Sequence, residues 1–130
     1  MSHWTVAKLR IRNPNLELLK QALQVIAQEL GVGQVVENYE VIGWHAKKLC
    51  RFAIPMQLPY GNGYGVYIDS NGEVKVVVDD HGAPLSASEF ANKLNQYYTA
   101  LAIARVAPQL GFTIQSIQQL QQGVLIDLVR

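Results

Sequence analysis

The pattern of apolar and polar positions opens with an alternation. From residue 4 to 12, Thr5, Ala7, Leu9 and Ile11 fall on one side and Lys8, Arg10 and Arg12 on the other. That is the period of a half-buried β-strand with a basic outer face. The period then changes. Asn13-Pro14-Asn15 opens a helix with Asn13 or Asn15 as N-cap, and Pro14 is the first helical residue if Asn13 caps. Leu16, Leu19, Leu23, Ile26, Ala27 and Leu30 recur mostly at three- and four-residue intervals and form one apolar stripe. Gly31 suits the left-handed residue that ends a helix.

Residues 34–43 read as a short strand with a bend, and residues 49–54 as another, with Cys50, Phe52 and Ile54 on one face. Pro55, Pro59, Gly61, Asn62 and Gly63 then make a loop. Residues 64–79 form a hairpin turning at Ser70-Asn71-Gly72. A two-residue Asn71-Gly72 turn would place Val66 and Ile68 with Glu73 and Lys75. A three-residue turn with Gly72 left-handed gathers Tyr64, Val66, Ile68, Val74, Val76 and Val78 on one face. The second register separates apolar from polar positions and is the one expected.

The second helix has the clearest start. Ser86-Ala87-Ser88-Glu89 fits a capping box, and Leu85 and Phe90 are spaced for a hydrophobic staple. Phe90, Leu94, Tyr97, Leu101 and Ala104 form its stripe. From 100 to 107 only Arg105 is strongly polar, so this half is expected to be buried on most sides. Pro108 kinks or ends the helix and Gly111 follows. Residues 112–120 and 124–129 make a last strand pair turning near Gln121-Gln122-Gly123. The order is strand, helix, two strands, hairpin, helix, two strands. It predicts an α+β domain, a mostly antiparallel sheet with two amphipathic helices on one face. A ferredoxin-like core with an inserted hairpin is the expected topology. No repeat or linker divides the chain, so residues 1–130 are expected to form a single domain.

These segments resemble a known family. Met1-Ser2-His3-Trp4, Glu37-Asn38-Tyr39-Glu40-Val41-Ile42-Gly43-Trp44 and Gly63-Tyr64-Gly65-Val66-Tyr67 carry the resemblance, with Phe90-Ala91-Asn92-Lys93-Leu94-Asn95-Gln96-Tyr97-Tyr98 and Gly111-Phe112-Thr113. Together they are similar to domain-of-unknown-function family twelve fifty-seven, which includes the conserved chloroplast reading frame thirty-five proteins of algal plastids and cyanobacteria. The resemblance covers nearly the whole chain. It departs at residues 54–61, where the Pro-rich connection is longer than in typical members. The family supplies no reaction and therefore no catalytic residue to carry over. Its association with gene neighbourhoods encoding ring-forming ATPases of the AAA type implies a partner or accessory role.

Composition narrows the function classes. A hydrophobic fraction of 49% with 16% charged residues excludes a disordered chain. With 11 basic and 10 acidic residues the net charge is +1. The basic excess of a dedicated nucleic-acid binder is absent, although local basic patches remain possible. The one cysteine, Cys50, can make neither an intramolecular disulfide nor a cysteine-based zinc site. It reads as a buried apolar residue rather than a reactive thiol. The start of the chain lacks a basic segment followed by an apolar run, and the apolar stretch at 100–110 is too short to span a bilayer. A cytoplasmic protein without membrane contact is expected.

Several groups invite chemistry. In an extended segment Asp79 and His81 share a face, and carboxylate with imidazole suits a divalent metal. A metal-dependent enzyme there is one reading. Gly82, Ala83 and Pro84 follow, however, and Asp and His are ordinary where a strand runs into a loop. His3 and His45 lie far off in sequence with no ligand spacing. Ser2, exposed if Met1 is removed, is an N-terminal nucleophile only if an oxyanion site exists, and none is identifiable. Gly61-Asn62-Gly63-Tyr64-Gly65 lacks the strand-before, helix-after context of a phosphate cradle, so turn glycines are the simpler reading. Trp44, Tyr60, Tyr64 and Tyr67 cluster in sequence near Lys47, Lys48 and Arg51. Trp44, Tyr64, Tyr67, Lys47 and Lys48 are the candidate ligand or partner-binding set, a small-ligand or nucleic-acid module. The competing reading puts Trp44 and Tyr64 in the core. No cofactor is implied. The first functional expectation is a non-enzymatic accessory or protein-interaction domain, or a small homo-oligomer, and an exposed patch at 100–110 would support it.

Overall fold

Alternation and helical periodicity resolve into nine regular elements and one 3-10 turn in a computed structural model, which describes residues 2–120 and 123–130. The elements run β1 (Trp4–Arg12), α1 (Leu16–Glu29), β2 (Val36–Ile42), β3 (Lys47–Pro55), β4 (Gly63–Ile68) and β5 (Glu73–Asp79). They continue with α2 (Ala87–Val106), a 3-10 turn (Ala107–Leu110), β6 (Thr113–Leu120) and β7 (Gly123–Val129). Met1, which opens the first family motif, and Gln121 and Gln122, where the last turn is expected, lie outside the described residues.

Five strands form one sheet in the order β1-β5-β4-β3-β2, and β6 and β7 form a separate two-stranded sheet. Every pairing is antiparallel. The α+β class with both helices on one face is what forms, but the ferredoxin-like core is not. That arrangement needs parallel neighbours and brings the strand after the second helix into the main sheet. Here β2 to β5 meander through short connections, and β1 takes the remaining edge of β5. The last hairpin finds no place beside β5 and packs on α2 instead.

The local signals explain the element ends. Asn15 is the N-cap of α1, its side chain accepting the Leu18 N–H at 3.0 Å. Asn13 is excluded as cap because it sits in the left-handed region at φ 49° and donates its own N–H to Gly72 O at 2.8 Å. The hairpin adopts the three-residue turn. Ile68 pairs with Val74 and Val66 with Val76, and Gly72 takes φ +80°. Asp69 accepts the N–H groups of Glu73 and Asn71, both at 2.9 Å. These bonds, Glu73 first, hold its carboxyl below the ordinary range. The capping box of α2 is complete, with Glu89 N–H to Ser86 Oγ at 3.1 Å and Ser86 N–H to Glu89 Oε1 at 2.9 Å.

The main core lies between the helices and one sheet face. Leu19, Leu23 and Ile26 of α1 and Phe90 and Leu94 of α2 meet Leu9, Phe52, Ile54, Tyr64, Val66 and Val76. The Tyr64 ring stacks on Phe90 at 4.6 Å between centroids, nearly parallel at 10°. Its hydroxyl donates to Leu85 O at 2.8 Å and accepts the Leu85 N–H at 3.0 Å, so the buried polar tip is satisfied.

The other face of the sheet curls over a smaller core of Val41, Cys50, Ala53 and Val77. Curling brings Val41 of β2 across to β4. A Cβ on Gly65 would stand 2.6 Å from Val41 Cγ2, so this position admits only glycine without repacking. Cys50 therefore lies opposite Phe52 and Ile54, not beside them as strict alternation predicts. The alternation breaks near Arg51, facing a stretch of β2 in which Asn38 takes φ 52°.

The second half of α2 also differs from expectation. Ala100 and Ala107 are buried, but Ile103 and Val106 are 40% and 45% exposed, and Leu110 in the 3-10 turn is 59% exposed. The two-stranded ribbon and β1 pack on this helix, but among the described residues they leave Ile103, Val106 and Leu110 part-open between them. Among the described residues, no helix is long and apolar enough to cross a membrane.

Candidate functional site

A groove follows directly from that incomplete cover. Its walls are the outer margin of β1, the second half of α2 with its 3-10 turn, and the β6–β7 hairpin. The cavity measures about 630 Å³. Thr99, Ile103, Val106 and Leu110 recur at helical spacing along one wall, and Phe112 and Leu128 come from the hairpin. Pro108 is the second residue of the 3-10 turn, and Gly111 at φ 85° swings the chain back into β6. A second cavity of about 340 Å³ shares Arg10, Ile11, Thr99 and Ile103 and extends the groove towards Val124 and Ile126.

The rim is basic. Arg10 and Arg12 line the groove, and among the described residues neither cavity has an Asp or Glu in its lining. The Arg130 guanidinium lies 5.2 Å from the centre of the Phe112 ring, a cation–π distance. The Arg10 backbone N–H is held by Asn95 Oδ1 of α2 at 3.2 Å, which fixes the strand against the helix. On the side of α2 that meets α1, Tyr97 donates a short hydrogen bond to Glu29, and Lys93 pairs with the same carboxylate at 3.2 Å. Burial first, and then the Glu29 carboxylate, pushes the Tyr97 phenol well up, so this tie between α1 and α2 keeps its proton.

The aromatic and basic residues singled out in the sequence do not converge. Tyr64 is in the main core. Tyr67 is half-buried over the smaller core, with Lys48 Nζ 4.5 Å from its ring centre. Lys47 is exposed at the start of β3. Trp44 is 61% exposed, not core. It lies on the loop between β2 and β3, edge-on to Tyr60 at 5.4 Å and to His45 at 5.8 Å. His81 approaches Tyr60 at 5.3 Å. The structure thus assembles Trp44, His45, Tyr60 and His81 beside a shallow cleft of about 390 Å³ that Ser2 also lines. Tyr60 was visible in sequence as a neighbour of this set. Its approach to His81 depends on two loops meeting and left no local signal.

Asp79 and His81 also part company. Asp79 is 1% exposed. Its Oδ1 accepts the His3 N–H at 2.7 Å and its Oδ2 the Trp44 N–H at 3.2 Å, so one carboxylate ties the start of β1 to the loop between β2 and β3. Asp80 accepts the Ala87 N–H at 2.8 Å, on the first residue of α2, and its other oxygen lies 2.6 Å from His3 Nδ1. His81 is on the surface, where Gly82 turns the chain away at φ 70°. Among the described residues, no three His, Cys, Asp or Glu side chains come together as a metal cluster. The partners of Asp79 are 76 and 35 residues away in sequence, so its clamping role is invisible to local reading.

Cys50 is 1% exposed, and burial pushes its thiol up to about 11 against the lowering effect of Lys48. At pH 8 its iodoacetamide alkylation is expected to be about 100-fold slower in the folded protein than in denaturant, because the thiolate fraction falls tenfold per pH unit below the pKa. Equal rates would show that the thiol is open to solvent. With the folded pKa above the ordinary value of 9.0, the thiol's stability contribution is complete below pH 9 and is lost as pH rises through 11.

No curated protein and no solved structure matches the chain. A family described as "Protein of unknown function (DUF1257)" matches residues 26–129. The match takes in the segment around Tyr39, the β4 segment, the Phe90 segment of α2 and Gly111-Phe112, while the motif at Met1 to Trp4 lies before it. It runs from the last turns of α1 through the helix and hairpin that build the groove, and on this match the chain belongs to the DUF1257 family of proteins of unknown function.

Proposed function

We propose that this chain is a non-enzymatic accessory domain that binds another protein through the groove between β1, α2 and the β6–β7 hairpin. The observation that carries the reading is the apolar stripe at Ile103, Val106 and Leu110, exposed where a helix of this composition is normally covered. Exposed apolar surface of this kind with a polar rim suits a protein partner. An ATPase of the AAA type is the partner class favoured by the gene neighbourhoods that the family resemblance implies. A cytoplasmic setting is part of this reading, in keeping with a chain whose one cysteine has no disulfide partner within it.

The double variant Val106→Asp, Leu110→Asp tests this. Both side chains point outward, so each change is expected to cost no more than about 1 kcal/mol of stability. A partner captured with the wild-type chain from its own host should be lost, with binding weakened more than about tenfold. Native mass spectrometry of the two preparations reads the result, and a partner retained at wild-type occupancy would sink the reading.

A second reading rests on Trp44. A tryptophan this exposed, edge-on to Tyr60, offers a stacking surface for a small ring-bearing ligand or an unpaired base. Ligand or oligonucleotide binding unchanged in Trp44→Ala would remove it.

A further inference from the structure

We propose that the groove selects an acidic amphipathic segment of its partner protein, an inference that rests on the docking reading above and adds the chemistry of the occupant. The argument comes from charges left over after the fold satisfies its own. Lys8, Lys20, Lys75 and Lys93 each meet a carboxylate, Lys8 at Glu73, Lys20 at Glu37, Lys75 at Asp69 and Lys93 at Glu29. Among the described residues no such pair involves Arg10, Arg12 or Arg130, nor Lys47, Lys48, Arg51 or Arg105, and of these Arg10, Arg12 and Arg130 are the ones that stand at the groove. Arg10 and Arg12 line the apolar groove, which has no acid in its lining among the described residues, and the Arg130 guanidinium adds a third positive charge over Phe112. Guanidinium forks match carboxylates with two parallel hydrogen bonds and are more weakly hydrated than ammonium groups, so they suit an interface that closes over them.

The floor decides between classes of partner. Ile103, Val106, Leu110 and Leu128 are aliphatic, which favours Leu, Ile or Phe side chains over a sugar–phosphate backbone. The groove follows α2 from Asn95 to Val106, about 16 Å at 1.5 Å per residue, the length of three helical turns. A second copy docked symmetrically through this groove would bring two sets of Arg10 and Arg12 into one interface whose lining supplies no acid, a like-charge arrangement that opposes association.

The test uses the full chain and two short synthetic peptides with Leu at three- and four-residue spacing. One carries Glu and Ala at the remaining positions, the other Lys and Ala. Fluorescence anisotropy should show the Glu peptide binding about tenfold tighter than the Lys peptide. Raised salt should narrow the difference. In Arg10→Glu, Arg12→Glu the preference should reverse, and in Val106→Asp, Leu110→Asp both peptides should be lost. Equal affinity for the two peptides overturns the charge selection while leaving the groove as a docking surface. So does failure of the Glu peptide to bind wild type any better than the Val106→Asp, Leu110→Asp variant, or binding of oligothymidine in its place. A concentration-dependent dimer abolished by Val106→Asp, with no peptide binding, overturns it in favour of a second copy. Failure of the docking reading is distinct, because it shows as a native partner retained by the Val106→Asp, Leu110→Asp variant.

Discussion

Phe90→Ala is expected to lower the unfolding free energy by about 3–5 kcal/mol. The ring is fully buried and stacked on Tyr64, itself fully buried. Truncation removes the transfer energy of the ring and leaves a cavity. Close-packed neighbours cannot collapse into it without breaking the Tyr64 hydroxyl bonds to Leu85. Those bonds hold the segment that enters α2, so the loss spreads to the helix that forms one wall of the groove. Urea denaturation should show a lower midpoint with an unchanged slope. Phe90→Leu should recover more than half of the loss, because it refills most of the volume. A loss below about 1 kcal/mol would mean the ring is not the packing centre of this core.

Asp79→Ala is expected to cost about 3 kcal/mol, because two hydrogen bonds to a charged acceptor disappear together. The His3 and Trp44 N–H groups lose their partner, and the start of β1 loses its polar tie to the loop between β2 and β3. Asp79→Asn keeps one accepting oxygen and should recover about half. Thermal unfolding of the three proteins in the presence of a chelator reads the effect. A metal-holding Asp79 behaves differently. Its replacement by Asn in metal-free protein would change the melting temperature little, and the wild type alone would gain stability on adding a divalent ion. That pattern would overturn the clamp.

Some features were legible in the chain because their causes lie within a few residues. The capping box at Ser86 and Glu89 is one, since donor and acceptor are three positions apart. The three-residue turn at Gly72 is another. A one-residue slip would have mixed Val66 and Ile68 with Glu73 and Lys75, and the polarity of those side chains forbids it. Asn13 against Asn15 stayed open in the sequence because both side chains can cap. The left-handed Asn13 bound to Gly72 settled it from outside the helix. The candidate site was less legible. Trp44, Tyr64 and Tyr67 are near one another in sequence, yet strand alternation and the loop before β3 send them to a surface, the main core and the smaller core.

The sequence by itself determined the two helices, the capping box of α2, the strand positions, the hairpin register and most of the apolar positions that enter the main core. Each is a consequence of side-chain period and local hydrogen bonding, which act over short separations. Only the tertiary structure decided that β1 pairs with β5, that the last hairpin leaves the main sheet, and that Cys50 turns to the smaller core with Val41 and Ala53. It alone placed Arg10 and Arg12 beside Ile103, Val106 and Leu110. Those contacts join residues some ninety positions apart, and apolar burial, which drives them, is non-directional. An amphipathic pattern says which face of an element seeks cover. Which element supplies that cover, and which stretch is left open for a partner, depends on how all the elements compete for the same surface.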